Sequence, residues 1–478
     1  MSLKNETDIR NLLKQLACRI KKEVREAVSQ GKLQPREELY FRTKIDGFRY
    51  GEKGVEISGT SSQHIVKKTW FSGGIAQVTN SIRQSREYSS TIKLLTKNYK
   101  KGDRILGEGV TRVGMLADLL NELARSFLPD SNFDTEIDTV ITTFLKKLGK
   151  QPLNYRTEVE LSRIVVLTPS IEFTVEGHTI VLRPVTVEDL EQEFPVYEFQ
   201  LGTVKPYVKS DLQYWTLPSA ILTIECLAKE RDEIAMKIHQ AMAILRLFRT
   251  AGVDIISHRV YSESATSHTS FYSITATSSE RFRSALGQYQ VSEEEIEQLI
   301  DFWKVMLARL PQGIYDTRAT KPDYVTLAYQ RYCDALLQNG VLERRIANAV
   351  MGLEALFLTG QDELSFRLRT YVAKVLGLLG HEPLEVKDAV KRAYNIRSTF
   401  AHGGQLSRKD EGKLHARYGS VDNFLQLILD YLRVSIIIMI VTRIGKEDFF
   451  NLVGDSLIDE VQNNLLNRLL STARSIIS

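Results

Sequence analysis

The chain has 478 residues, of which 43% are hydrophobic and 26% are charged. This is the composition of a globular protein, and at roughly 100–200 residues per domain the length predicts several domains. The 63 basic and 59 acidic residues leave a net charge of only +4, so the chain as a whole is not a strongly basic nucleic-acid binder and any basic surface must be local.

The cysteines and the apolar segments predict a cytoplasmic protein. The cysteines (Cys18, Cys226 and Cys333) are too far apart for a disulfide framework or a zinc site, which suits a reducing compartment. Residues 1–8 are polar and charged, so no signal peptide is expected there. The apolar run 434–442 is about half as long as a bilayer requires, which predicts a buried helix and no membrane association.

Residues 1–150 are predicted to form a mostly helical region with some strands. Apolar residues recur at helical spacing over 5–30 and again over 113–127, and another helix is expected near 134–148. The stretch 35–100 is rich in Gly and Ser with aromatic and β-branched pieces between them, so we expect short strands and loops there.

Residues 155–312 are predicted to form an α+β domain. A strand pair over 170–184 turns at Glu176-Gly177, and the further predicted elements are a strand at 220–227, a helix at 232–250 and a second strand pair at 255–261 and 270–277. Ser292-Glu-Glu-Glu295 is a capping box that begins a helix to residue 310. We place the domain boundary at 312–322.

Residues 320–478 are predicted to be an all-α bundle. Helices are expected near 323–338, 341–359, 363–379, 384–402, 420–444 and 447–476, and glycines lie at or near several of their ends. Short connections between successive helices are typical of a bundle. The fold class is therefore α+β multidomain, a mixed α/β N-terminal region followed by a helical bundle.

The segment 391–417 places basic side chains and two histidines at the end of one predicted helix. It contains seven Lys or Arg residues and two acidic ones. Arg397 and His402 are five positions apart, which turns their side chains about 140° from each other on a regular helix. Both reach one cleft if His402 lies in a frayed last turn beside Gly403, or if a two-fold partner presents its own pair. The spacing therefore favours a dimer.

An arginine and a histidine suit RNA cleavage without a metal ion. Histidine takes or gives a proton near neutral pH, and arginine stabilises the negative charge that grows on a phosphate. The ribose 2′-OH then serves as the internal nucleophile, and no Asp/Glu cluster of the kind that holds two Mg²⁺ ions is apparent in the sequence. The spacing alone also has a purely structural explanation, because cations interact favourably with a helix C-terminus.

Residues 340–445 resemble the Apea-like HEPN family. The resemblance is carried by the helix Ala349-Val-Met-Gly-Leu-Glu354-Ala-Leu-Phe-Leu, by the helix 363–373, and by the closing segment Ala393-Tyr-Asn-Ile-Arg397-Ser-Thr-Phe-Ala-His402-Gly403. In HEPN proteins an Arg and a His a few residues apart form the ribonuclease motif at this place in the bundle. The resemblance thus implies that Arg397 and His402 are catalytic. The residue after the Arg is often Asn, Asp or His, and the less typical Ser398 stands in that supporting position.

The resemblance implies a homodimer with a composite active site and a metal-independent endoribonuclease that leaves a 2′,3′-cyclic phosphate. It also implies a role in anti-phage defence, abortive infection or a toxin system, with no cofactor. The substrate is RNA, and transfer RNA is one candidate. Residues 1–310 are expected to recognise the RNA, a phage-derived trigger or a regulatory partner. The alternative is a non-catalytic HEPN module that binds nucleotides or assembles a complex.

Two further residues have alternative interpretations. Glu354 lies in an apolar helix, where a charge is unfavourable unless it is paired. It either orients Arg397 from the neighbouring helix or forms a structural salt bridge to Arg367 or Arg369. Tyr394, one turn before Arg397, is either a core aromatic or a platform for base stacking.

Overall fold

The chain folds into a helical N-terminal unit, a long β-hairpin, an antiparallel sheet and a C-terminal helical bundle. The computed structural model describes residues 3–33, 35–51, 54–71, 74–98, 116, 119–121, 123–124, 127, 137–149, 153–193, 197–198, 218–228, 231–262, 271–274, 287–311, 313–314, 322–337, 340–360 and 363–477. The predicted α+β class, with a sheet-containing N-terminal region before a helical C-terminal region, is confirmed.

The N-terminal unit is built from α1 (Leu3–Ser29), α2 (Gly74–Arg83), α3 (Arg86–Asn98) and α4 (Ile137–Gly149). Helix α1 forms because apolar residues recur every three or four positions, and this stripe is buried (Ile9, Leu13, Leu16, Ile20 and Val24). The residues described between 116 and 124 are helical, and their leucines join the same core. The helices predicted at 5–30 and 134–148 are confirmed.

The segment 35–100 departs from the prediction of short strands and loops. Strands β1 (Pro35–Gly51) and β2 (Gly54–Phe71) form one long antiparallel hairpin, and α2 and α3 occupy the remainder. Register shifts in β1 absorb local irregularity without ending the strand. The helical pattern of α2 and α3 is hard to recognise in the sequence, because only a few apolar residues, such as Val78 and Leu95, face the core and most of the others are polar.

The antiparallel sheet has the strand order β10-β9-β3-β8-β6-β5. Strands in this region are β3 (Leu153–Ser162), β4 (Ile164–Val166), β5 (Ile171–Val175), β6 (His178–Pro184), β7 (Tyr197–Glu198), β8 (Ala220–Ala228), β9 (Asp254–Ser262), β10 (Phe271–Ile274) and β11 (Tyr289–Val291). The predicted turn between β5 and β6 is confirmed, with positive φ at Glu176 and Gly177. Strand β3 lies between β8 and β9 and was not predicted, although buried Thr157, Val159 and Leu161 alternate with charged residues, which is the period of a strand.

One face of the sheet is covered by helices. They are α6 (Arg231–Phe248) and α7 (Ile296–Leu307), while α5 (Val187–Glu193) packs near the hairpin. The predicted capping box is present, since the Ser292 N–H donates to the Glu295 carboxylate at 3.2 Å.

The C-terminal bundle consists of consecutive helices. They are α8 (Tyr324–Leu337), α9 (Leu342–Phe357), α10 (Leu364–Gly377), α11 (Pro383–Ala401), α12 (Arg408–Tyr418), α13 (Val421–Thr442), α14 (Lys446–Asp455), α15 (Glu460–Leu469) and α16 (Ser471–Ile477). Helix α13 is long and apolar enough to cross a membrane by length and composition alone. However, 83% of its most apolar window is buried in the bundle, which is the buried helix that the sequence predicts.

Two bundle predictions are wrong. The single helix expected at 447–476 is three, and the connection before α15 is fixed by Asp459, whose carboxylate accepts the Val461 N–H. Helix α12 was not predicted at all. Leu414 is the one buried residue of this helix, so it carries no apolar period, and the Ser407 cap begins it by accepting the Asp410 N–H.

The sheet and the bundle share one hydrophobic core. The guanidinium of Arg433, 6% exposed, reaches from α13 to the C-terminal end of α6, where it donates to the carbonyls of Leu247 and Phe248 at 2.9 and 3.1 Å. The predicted boundary at 312–322 lies largely outside the described residues.

Candidate active site at the end of helix α11

Helix α11 carries the candidate residues and ends where the sequence predicts. Its core-facing side is apolar and buried (Val386, Ala389, Val390 and Ala393). The helix ends at Ala401, His402 is its C-terminal cap residue, and Gly403 has a φ of +78°. A left-handed residue here closes the last turn, which favours glycine. The histidine therefore lies at the point where the chain turns away from the helix.

The loop after the helix is held in place from both sides. The Gly404 N–H donates to the Thr399 carbonyl at 2.9 Å, and a Cβ at Gly404 would lie 2.7 Å from the Thr399 methyl carbon. The Leu406 N–H donates to the Glu343 carboxylate on α9 at 3.2 Å. Since these bonds fix both its start and its end, the loop is preorganised.

Arg397 is anchored on the other side of α11. Its Nη2 donates to Oε2 of Glu354 on α9 at 3.3 Å, and the two side chains are 31% and 16% exposed. Its guanidinium carbon lies 5.9 Å from the ring centre of Tyr394, within the range of a cation–π contact. Tyr394 is half-buried and packs against the core. Of the arrangements considered for Glu354, the structure shows the ion pair with Arg397.

The environment of Glu354 disfavours its charged form. Burial raises the pKa of this carboxyl, and the charge and hydrogen bond of Arg397 oppose the rise without cancelling it. Its second oxygen, Oε1, is buried and has no hydrogen-bond partner among the described residues. Glu354 thus fixes the position of Arg397 and depends on that arginine for its own stabilisation.

His402 is exposed, and its side chain has no hydrogen bond or ion pair within the part of the chain that the structure describes. Its backbone N–H donates to the carbonyls of Ser398 and Thr399 at 3.2 Å each. Ser398 is half-buried one turn earlier. Because α11 is regular up to Ala401, His402 and Arg397 project about 140° apart, so one chain directs them toward different surfaces.

Helices α11 and α12 carry several basic side chains along the segment that contains His402. Several cations of the segment 391–417 are already paired: Arg392 and Arg417 with Asp388, and Lys413 with Asp410. Exposed cations that have no ion pair among the described residues are Lys391, Arg408 and Lys409. The three cations without ion pairs among the described residues therefore lie on the solvent-exposed side of α11 and α12.

A cleft of about 370 Å³ lies between α11, the loop after it and α12. From α11 it is lined by Arg392, Asn395, Ile396, Thr399 and Phe400. Neither Arg397 nor His402 lines it, and His402 lies about 20° from Asn395 around the helix axis. The cleft was not predicted from the sequence, although Asn395 and Thr399 are polar residues four positions apart on one helix face.

No group of three or more His, Cys, Asp or Glu residues that could hold a metal ion is found among the described residues. No family model matches the chain, and no curated protein or solved structure matches it. The functional interpretation therefore depends on the geometry and on the sequence resemblance.

Proposed function

We propose that this chain is an endoribonuclease of the HEPN superfamily that cleaves RNA without a metal ion. The observation that carries the proposal is the end of α11, where an exposed histidine and an arginine held by a carboxylate lie beside a basic helix. In the same proposal the enzyme acts in the cytoplasm in anti-phage defence, abortive infection or a toxin system.

The proposed chemistry uses only groups that this chain supplies. His402 removes the proton of a ribose 2′-OH, the 2′-oxygen attacks the adjacent phosphorus, and the bond to the 5′-oxygen breaks. A protonated His402 of the partner subunit returns a proton to the leaving 5′-oxygen. Arg397 stabilises the charge on the phosphate, because Glu354 occupies only part of its guanidinium. The products are a 2′,3′-cyclic phosphate and a 5′-OH.

The proposal includes a homodimer, because the two side chains diverge within one chain. A two-fold axis near the end of α11 would bring Arg397 of one copy and His402 of the other to one phosphate. Size-exclusion chromatography with light scattering tests this arrangement. A protein that is monomeric at the concentrations at which it cleaves RNA contradicts the composite site.

The alternative is a non-catalytic HEPN module that binds nucleotides or assembles a complex. The ion pair favours it, because an arginine paired with a buried carboxylate also has a purely structural role. In that case the variants Arg397→Ala and His402→Ala would behave like the wild type toward RNA.

The decisive experiment compares cell growth and RNA integrity on expression of the wild type, Arg397→Ala and His402→Ala. The matched controls are Arg468→Ala and His415→Ala, which remove an exposed arginine from α15 and an exposed histidine from α12. We expect the wild type and both controls to fragment RNA and the site variants to leave it intact. Equal behaviour of all five proteins rules out the nuclease function.

A second experiment tests the chemistry. Purified protein treated with EDTA is expected to retain its cleavage activity and to leave fragments that end in a 2′,3′-cyclic phosphate. Activity that EDTA abolishes and Mg²⁺ restores would place the reaction at another centre.

A further inference from the structure

The cleft between α11 and α12 is a preformed pocket. One wall is the exposed face of α11, the second is formed by residues 404–407 of the loop and the third is α12. The loop is fixed to α9 through Leu406 and Glu343, and its start is fixed by the contact of Gly404 with Thr399. A volume of about 370 Å³ falls in the range of small-ligand sites.

The lining combines an apolar floor with amide and hydroxyl groups at the rim. Ile396 and Leu414 are nearly inaccessible to solvent and form the floor with the half-buried ring of Phe400. The amides of Asn395 and Gln405 lie at the rim. A flat heteroaromatic group is recognised in this way, because its faces contact apolar and aromatic side chains while its edge bonds to amides.

The charges of the cleft favour a base over a phosphate. Two of its lining residues, Arg392 and Lys413, are basic, but each is paired with an aspartate. Two others are acidic, and Glu343 accepts a backbone N–H. The interior is thus close to neutral, whereas the cations without ion pairs among the described residues lie outside it on the same surface. A phosphate would remain outside, and an uncharged base would enter.

One edge of the cleft, at Asn395, lies on the same side of α11 as His402. Counting 100° per residue, His402 is about 20° from Asn395 at one edge of the lining, whereas Arg397 is about 160° from Asn395 and about 60° from Phe400 at the other edge. A base that bonds to Asn395 therefore places a neighbouring phosphate nearer to His402 than to Arg397 of the same chain.

From these observations we infer that the cleft binds one nucleobase of single-stranded RNA next to the phosphate at His402, with Asn395 at the edge of the base. This inference rests on the proposed function for the choice of RNA as the ligand. The cleft then determines which base stands beside the cleaved bond, while Arg408 and Lys409 attract the RNA backbone whatever its sequence.

The test measures the anisotropy of fluorescent oligoadenylate and oligouridylate in the His402→Ala background, so that the RNA is not cleaved. Asn395→Trp fills the cleft, and Asn395→Leu removes the amide at similar volume. The matched control Ala416→Trp places the same side chain on the exposed side of α12, outside the cleft. Circular dichroism checks that each variant is folded.

Asn395→Trp is expected to weaken binding of the preferred oligonucleotide about 5- to 100-fold, the range of one lost base contact, and Ala416→Trp to leave it unchanged. Asn395→Leu is expected to alter the ratio of the two affinities, whereas Lys409→Ala weakens both equally and in a salt-dependent way. Wild-type binding by both Asn395 variants would overturn the inference.

A competition experiment shows whether the cleft binds a base of an RNA chain or the base of a free nucleotide. Free AMP and UMP are expected to compete only weakly with the oligonucleotides, and a mononucleotide that binds as tightly as the oligonucleotide would make the cleft a free-nucleotide site. Cleavage of total RNA by the wild type is measured separately. An inactive wild type contradicts the proposed function, while unchanged binding by the Asn395 variants contradicts the cleft alone.

Discussion

The variant Arg397→Ala is expected to destabilise the bundle, apart from any effect on catalysis. It removes the partner of Glu354, a carboxylate that is 16% exposed. Breaking a fully buried ion pair costs about 3–5 kcal/mol, and an unsatisfied, partly hydrated charge costs less. Because Arg397 itself is 31% exposed, we expect a loss of about 1–3 kcal/mol in the free energy of unfolding.

The destabilisation is expected to depend on pH. Burial holds the pKa of Glu354 above 4.5, and Arg397 is the group that lowers it, so the variant raises this pKa further. The folded state then binds a proton more tightly than the unfolded state does. The contribution of this carboxyl to stability is therefore fully present below its unfolded pKa and is lost as the pH rises through the folded pKa. The variant should differ from the wild type more at about pH 8 than at about pH 5.

Thermal unfolding at both pH values measures the effect, at about 2–4 °C for each kcal/mol in a large domain. The double variant with Glu354→Gln is expected to recover much of the loss at about pH 8, because no unpaired charge remains buried. Arg408→Ala serves as the surface control. A loss that is equal at both pH values and additive with Glu354→Gln would show that solvent already screens the pair.

Three other outcomes are expected. Gly403→Ala should lower the free energy of unfolding by about 1 kcal/mol, because alanine is strained at the positive φ of this residue. Gly412→Ala should raise the free energy of unfolding, because the residue lies inside α12 and a Cβ there would meet no neighbouring atom. Urea denaturation measures both changes. Arg433→Met should destabilise the chain by about 3–5 kcal/mol, because it leaves two carbonyls at the end of α6 without this donor and removes the ion pair of Asp430, which keeps its hydrogen bond from Thr250. A thiol reagent should label exposed Cys18 quickly and Cys226 slowly at neutral pH, because burial raises the pKa of the Cys226 thiol.

Elements with a strong local signal could be predicted from the sequence. Helix α11 was predicted to within a residue or so at each end, because its apolar stripe and Gly403 are both visible in the sequence. The turn at Glu176-Gly177 was predicted for a similar reason. Helix α12 was missed because only Leu414 is buried along it, so that its polar residues hide the helical period. Strand β3 does show the alternation of a strand and was overlooked because no element was assigned there from the sequence.

The candidate site likewise has one part that could be predicted from the sequence and one part that could not. Glu354 was singled out because a charge within an apolar helix requires a partner, but the sequence alone could not decide between Arg397 and the arginines of the next helix. The cleft could not be predicted. It exists because Glu343 bonds the loop at Leu406, and a contact between residues so far apart leaves no local pattern.

The hydrogen bonds between α13 and α6 determine which part of the chain can fold as an independent unit. Arg433 completes the C-terminal end of a helix that belongs to the sheet, and both lie within one continuous core. A bundle cut at residue 320 would keep this arginine and lose the carbonyls that it binds, along with part of its apolar cover. A gene fusion or domain exchange that keeps the bundle folded therefore has to include the sheet and its helices as well.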